Sequence, residues 1–180
     1  TKHPHTENGR IYKITYQGTP RVPAFDITKM SSPQLVDLQL HKNDWWVRRA
    51  RLTLQQRGPD PATHAALLKL LNDNPDLPRR LRALWALHVT SGAPKELLLN
   101  LLNDPSEYLR AWAIQLLTED RHLPADVLTR FAQRAAIDPS PMVRLYLASA
   151  LTRIPAAQRW GVLQNLVAHG EDITDQNLPL

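Results

Sequence analysis

Residues 104–112, Asp-Pro-Ser-Glu-Tyr-Leu-Arg-Ala-Trp, and residues 138–146, Asp-Pro-Ser-Pro-Met-Val-Arg-Leu-Tyr, read as two copies of one unit. Each copy has an Asp, an Arg six positions later and an aromatic residue two positions after that. Working outward, Asp76, Arg82 and Trp85 form an earlier copy, with the aromatic three positions after the Arg. Around Arg48 the pattern departs: Lys42 stands in the Asp place, Asp44 comes two residues later, and Ala50 and Arg51 replace the aromatic. Arg48, Arg82, Arg110 and Arg144 are separated by 34, 28 and 34 residues. A unit of about 30 residues cannot bury its own apolar face and is stabilised by stacking on its neighbours. The expected fold is therefore all-α, a right-handed solenoid of two-helix repeats.

The prolines support that reading. The chain of 180 residues has 15 Pro, 6 Gly and no Cys. Proline is tolerated in the first turn of a helix and excluded from its interior. Proline-free runs such as 62–74, 79–93, 106–123 and 125–138 are each the length of one or two short helices. Ser32, Asp60, Asp104 and Ser140 each precede a proline and read as N-caps, Asp104 with Glu107 as a capping-box variant. The apolar spacing inside the runs is helical, as in Leu81, Leu84, Trp85 and His88, or Val143, Leu147, Ala150 and Leu151. The expected helices are 33–41, 44–57, 62–73, 78–90, 95–103, 106–118, 125–137, 141–153 and 156–169.

The first 30 residues differ. Asn8-Gly9 is a hairpin-turn dipeptide, and Arg10–Tyr16 is rich in strand formers. A single hairpin arm is not stable alone, so it reads as the last strand of an upstream β domain. Residues 17–30, with Pro20 and Pro23, read as a linker. The expected division is 1–30 remnant strand and linker, 31–170 repeat domain, and 171–180 the start of a further, truncated repeat. An opening Thr1-Lys2-His3 without an apolar leader fits an excised fragment.

The Asp and Arg register, with a Pro near the first helix, resembles HEAT repeats. In that family an Asp in the turn and an Arg on the second helix commonly form a ladder between neighbours. The resemblance implies ladder roles for Arg48, Asp76, Arg82, Asp104, Arg110, Asp138 and Arg144. Three longer stretches, 8–16, 35–51 and 169–180, resemble the middle of large exported planctomycete-type membrane-bound dehydrogenase-like proteins. In these a glucose/sorbosone-dehydrogenase-type β-propeller is followed by HEAT repeats and a c-type cytochrome domain. That resemblance implies a periplasmic or secreted location and partners in the flanking propeller and cytochrome domains of the same polypeptide. The catalytic domain and the haem-binding motif would both lie outside this chain.

Little in the residues themselves points to chemistry. Without Cys there is no disulfide, thiolate metal site or cysteine nucleophile. Six scattered glycines build no phosphate loop, and the seven His form no metalloprotease motif. His88 lies on an apolar helix face and reads as an interhelix residue. No catalytic, cofactor or metal residues are assigned, and no cofactor is expected. The best interaction surface is basic and aromatic: Trp45, Trp46, Arg49 and Arg51 with Arg48 and Arg57, then Arg79 and Arg80 in the next repeat. Arginines on successive repeats can attract phosphates, as in HEAT-like DNA glycosylases. A net charge of +5 with interspersed acids is modest for that role, so the expected function is a non-catalytic spacer and protein-docking scaffold. No run of 18 apolar residues is present, so no membrane span is expected. The last helix, with Val162, Leu163, Leu166 and Val167, should leave an apolar face that a second copy of the chain could cover.

Overall fold

The computed structural model describes residues 12, 14, 16–18, 25–121, 123–175 and 177. Among the described residues the chain is all-α, with nine α-helices and no strand. They are α1 (Ser32–Asp37), α2 (Asp44–Arg57), α3 (Pro61–Asp73), α4 (Leu77–Val89), α5 (Lys95–Leu101), α6 (Glu107–Leu117), α7 (Ala125–Ile137), α8 (Pro141–Ala150) and α9 (Trp160–Val167). Short 3-10 turns at Leu38–Leu40 and Leu151–Arg153 close α1 and α8, because a tightened last turn satisfies carbonyls that a continuing α-helix would use.

Helix starts follow the capping rules, with two shifts. Asp60, Asp76 and Ser140 cap α3, α4 and α8, accepting from the amides of Thr63 (2.8 Å), Arg79 (3.3 Å) and Val143 (3.4 Å). The cap of α1 is Ser31 rather than Ser32, in a capping box whose second bond runs from the Ser31 amide to Gln34 Oε1 (2.8 Å). The N-cap of α6 is Ser106 rather than Asp104. Asp104 instead accepts from the Ser106 amide at 2.8 Å, and Asp138 accepts from the Ser140 amide at 3.1 Å. These carboxylates form turns one step before the helix, which frees their outer edges for other partners.

The helices pair within successive units: α1 with α2, α3 with α4, α5 with α6 and α7 with α8. Across units α1 packs on α3, α2 on α4, α6 on α8 and α7 on α9. One continuous apolar core runs through them, including Leu35, Leu67, Leu84, Leu109, Phe131 and Leu147, all fully buried. Burial on this scale, roughly 25 cal/mol per Å² of apolar surface removed from water, is the main force holding the stack.

At the N-terminal end, most of the expected strand and both linker prolines lie outside the described residues. Tyr12, Ile14 and Tyr16 are described, carry no regular structure and are 76%, 96% and 80% exposed. The expected linker already belongs to the packed body from Phe25 onward. Ile27 is in the core, and the Phe25 ring sits 4.3 Å from Trp46. Arg57 donates to the Thr28 and Met30 carbonyls at 2.9 and 2.5 Å. Phe25, Ile27 and Met30 follow neither a helical nor a strand period, so no regular pattern announces them. At the other end Val162 is buried, whereas Val167 and Ile173 are exposed beside half-buried Leu163 and Leu166.

Candidate functional site

The most ordered polar feature is a pair of arginine clasps. Arg110 is on α6, six residues after Asp104. Side chains on a helix lean toward its N-terminus, so the guanidinium turns back and Nη1 donates to the Asp104 and Pro105 carbonyls at 2.9 and 3.1 Å. Its other edge, Nε and Nη2, donates to both oxygens of Asp138, each at 2.8 Å. Arg144 on α8 repeats the geometry one unit later. Its Nη1 donates to the Asp138 carbonyl at 2.8 Å, its Nε donates to Asp172 Oδ2 at 2.6 Å, and its Nη2 donates to Asp172 Oδ1. Each arginine thus holds its own turn with one nitrogen and the next unit's carboxylate with the other two.

These clasps are shielded from water. The Asp138 side chain is 0% exposed and that of Arg110 9% exposed. A buried ion pair needs such full hydrogen bonding to offset the loss of hydration, and the forked guanidinium matches a carboxylate bidentately. The Arg144 guanidinium, with Glu171 also 3.7 Å away, holds the Asp172 carboxyl below its ordinary range. Asp172 was not singled out in the sequence. Its signal was its position, 34 residues after Asp138 as Asp138 is 34 after Asp104.

The earlier members of the register are placed differently. Arg82 does not reach Asp104. It turns to the preceding unit, donating to the Gln39 and His41 carbonyls (3.3 and 3.0 Å) and to Asp44 (3.4 Å). Arg80 takes its place, donating to Asp104 at 2.7 Å and to the Leu71 carbonyl at 2.8 Å. The unit from Asp76 to Asp104 is six residues shorter than the next, and its α5 has only seven residues. Asp104 therefore lies nearer the start of α4, and two positions along a helix turn a side chain by about 200°. Arg48 pairs within its own helix with Asp44 at 2.5 Å on an exposed surface, and Asp76 meets Arg79 at 3.7 Å. Arg48 and Asp76 form no rung.

The expected basic-aromatic surface is likewise divided. Trp45 and Trp46 pack edge to face at 5.0 Å, and both stack with Phe25, while His41 also adjoins Trp46. Arg57 and Arg80 are spent on backbone carbonyls, and Arg79 lies against Asp76. Arg49 is exposed. Arg51 stands apart, its Cζ 5.3 Å from the Trp85 ring centroid, with Trp85 in turn 4.9 Å from Trp112. His88 bridges to Glu119, joining α4 to the segment after α6. Among the described residues no helix is long and apolar enough to cross a membrane.

Comparison with protein-family models, with curated proteins and with solved structures returned no match.

Proposed function

We propose that the chain is a HEAT-like right-handed α-solenoid serving as a non-catalytic, semi-rigid spacer and protein-docking module. On this reading it lies within a larger exported dehydrogenase, between an oxidising propeller and a cytochrome. The observation that carries the reading is the repeated clasp, Arg110 on Asp138 and Arg144 on Asp172, each tying one unit to the next. The pairing of helices within and across units supports it. Solenoid stability is a sum of unit terms and nearest-neighbour interfaces, and the buried ion pairs at two of the interfaces hold the angle between units more tightly than apolar contact alone. The consumption of Arg57, Arg80 and Arg82 in internal hydrogen bonds favours a protein-facing scaffold over a track for phosphates.

The absence of native cysteine allows a direct test. Spin labels at Gln55→Cys on α2 and Ser149→Cys on α8, both exposed sites, should give one narrow distance distribution by pulsed electron resonance. A broad or multiple distribution would remove the spacer reading.

A further inference from the structure

We propose that the half-buried guanidinium of Arg51, seated on Trp85, is the receptor for one carboxylate from an acidic segment of a partner protein. Arg51 stands three residues after Arg48, as Trp85 stands three residues after Arg82, while Trp112 and Tyr146 stand two residues after theirs. Its guanidinium lies 5.3 Å from the Trp85 centroid, and Trp85 in turn lies 4.9 Å from Trp112.

Its hydrogen bonds are unmade. Arg51 Nη1 is enclosed without an acceptor, and so is the indole Nε1 of Trp85. Natural structures leave few such donors unpaired, and each costs about 1–3 kcal/mol. Among the described residues Lys29, Lys42, Arg49, Arg121 and Arg130 also make no ion pair, but all five are exposed, and half-buried Arg153 lies beside the Gln115 side-chain amide. Arg51 is only half-exposed, and of its nitrogens only Nη1 is enclosed, which leaves an open edge for a ligand.

The charges around it call for an anion. Arg48 and Arg82 share the carboxylate of Asp44. Three guanidiniums thus stand around one acid. Burial lowers the proton affinity of Arg51, opposed by Asp44 and reinforced by Arg48 and Arg82. A nucleic-acid backbone needs several free cations in a line, whereas the two guanidiniums beside Arg51 are already held by Asp44, and the forked edge of one guanidinium matches one carboxylate bidentately. A single carboxylate on a protein segment, with apolar neighbours lying along Trp85 and Trp112, fits better.

This inference rests on the docking part of the proposed function. Its test uses the full chain, ¹⁵N-labelled, titrated at low salt with hexaglutamate, with inorganic phosphate and with a short single-stranded oligonucleotide, reading the Trp85 indole N–H resonance. Hexaglutamate should shift it saturably, about tenfold more weakly or worse in Arg51→Met, as expected for losing a charged hydrogen bond, and unchanged in Arg130→Met. No saturable shift, equal effects in the two variants, or tighter binding of the oligonucleotide or of phosphate would overturn it. A second reading guards against a purely structural Arg51. An unfilled receptor predicts that Arg51→Met leaves the melting temperature unchanged or raises it, and a clear fall would contradict the proposal. Failure of the peptide titration with a narrow spin-label distance would sink this site alone, while a broad distance would sink the scaffold.

Discussion

His169 faces two acceptors: its Nδ1 lies 2.6 Å from Glu171 Oε1 and its Nε2 lies 2.7 Å from the Ala135 carbonyl. A neutral imidazole has one N–H and can serve only one of them, whereas the imidazolium serves both. The Glu171 hydrogen bond accordingly raises the His169 pKa above its ordinary value, and the Arg144 clasp lowers that of Asp172. The two shifts act on the same 3-10 turn, Gly170–Thr174, in opposite pH ranges. A raised pKa gives stability that is complete below about pH 6.5 and fades as pH rises through the folded value. A lowered carboxyl pKa gives stability present above about pH 4 that fades as pH falls through the folded value. Amide exchange in 170–174, corrected for intrinsic rates, should therefore be slowest between these limits. Asp172→Asn should weaken the acid limb, the rest of which belongs to Glu171, whose carboxyl the His169 hydrogen bond holds below its ordinary range, and His169→Gln should remove the upper limb; a flat profile in the parent chain would contradict these assignments. Arg48, by contrast, pairs with Asp44 in open solvent, its side chain 74% exposed. Arg48→Ala should change the urea midpoint by an amount equivalent to less than about 0.5 kcal/mol.

Between elements, the turn after α4 is built around a close approach. Ser91 takes a left-handed conformation at φ 60°, and Gly92 then passes the His64 ring of α3. A Cβ at Gly92 would lie 2.5 Å from His64 Cδ2 and 2.7 Å from Nε2. His64 cannot easily yield, because Nε2 is hydrogen-bonded to the Thr90 carbonyl and hydroxyl at 3.0 and 3.1 Å. Gly92→Ala should thus cost about 1–3 kcal/mol in urea unfolding by forcing α3 and α4 apart, while Gly170→Ala, whose Cβ meets nothing within 4 Å, should cost little. Equal effects would argue against the close approach. This turn shows what sequence could and could not yield at this scale. The nine α-helices among the described residues were legible because proline is costly inside a helix and cheap at its start, so the gaps between prolines mark them. The caps were legible only to within two residues, since an Asp before Pro-Ser can either cap the helix or close the preceding turn. Which it does depends on the arginine that claims its outer edge, and that arginine is distant in sequence.

Across the whole molecule, the all-α class and the Asp and Arg spacing were visible, and the contacts those residues make were only partly so. The spacing of Asp104, Asp138, Arg110 and Arg144 carries the two long units, where period and contact agree. In the short unit the loss of six residues hands Asp104 to Arg80 and sends Arg82 back to Asp44, a change that follows from helix rotation and not from residue type. The basic residues expected on α2 and α4 are divided among different partners: Arg57 and Arg80 bond backbone carbonyls, Arg48 and Arg79 pair with carboxylates at the start of their own helices, Arg49 is exposed, and Arg51 lies on Trp85. Each long unit is locked to the next by an arginine reaching forward to a shielded carboxylate. A double-mutant cycle tests it most directly, with Arg110→Met and Asp138→Asn unfolded in urea singly and together, beside the same cycle for Arg82→Met and Asp104→Asn. A coupling of about 2–3 kcal/mol is expected for the first pair and less than about 0.5 kcal/mol for the second. Negligible coupling between Arg110 and Asp138, or a larger one between Arg82 and Asp104, would contradict it.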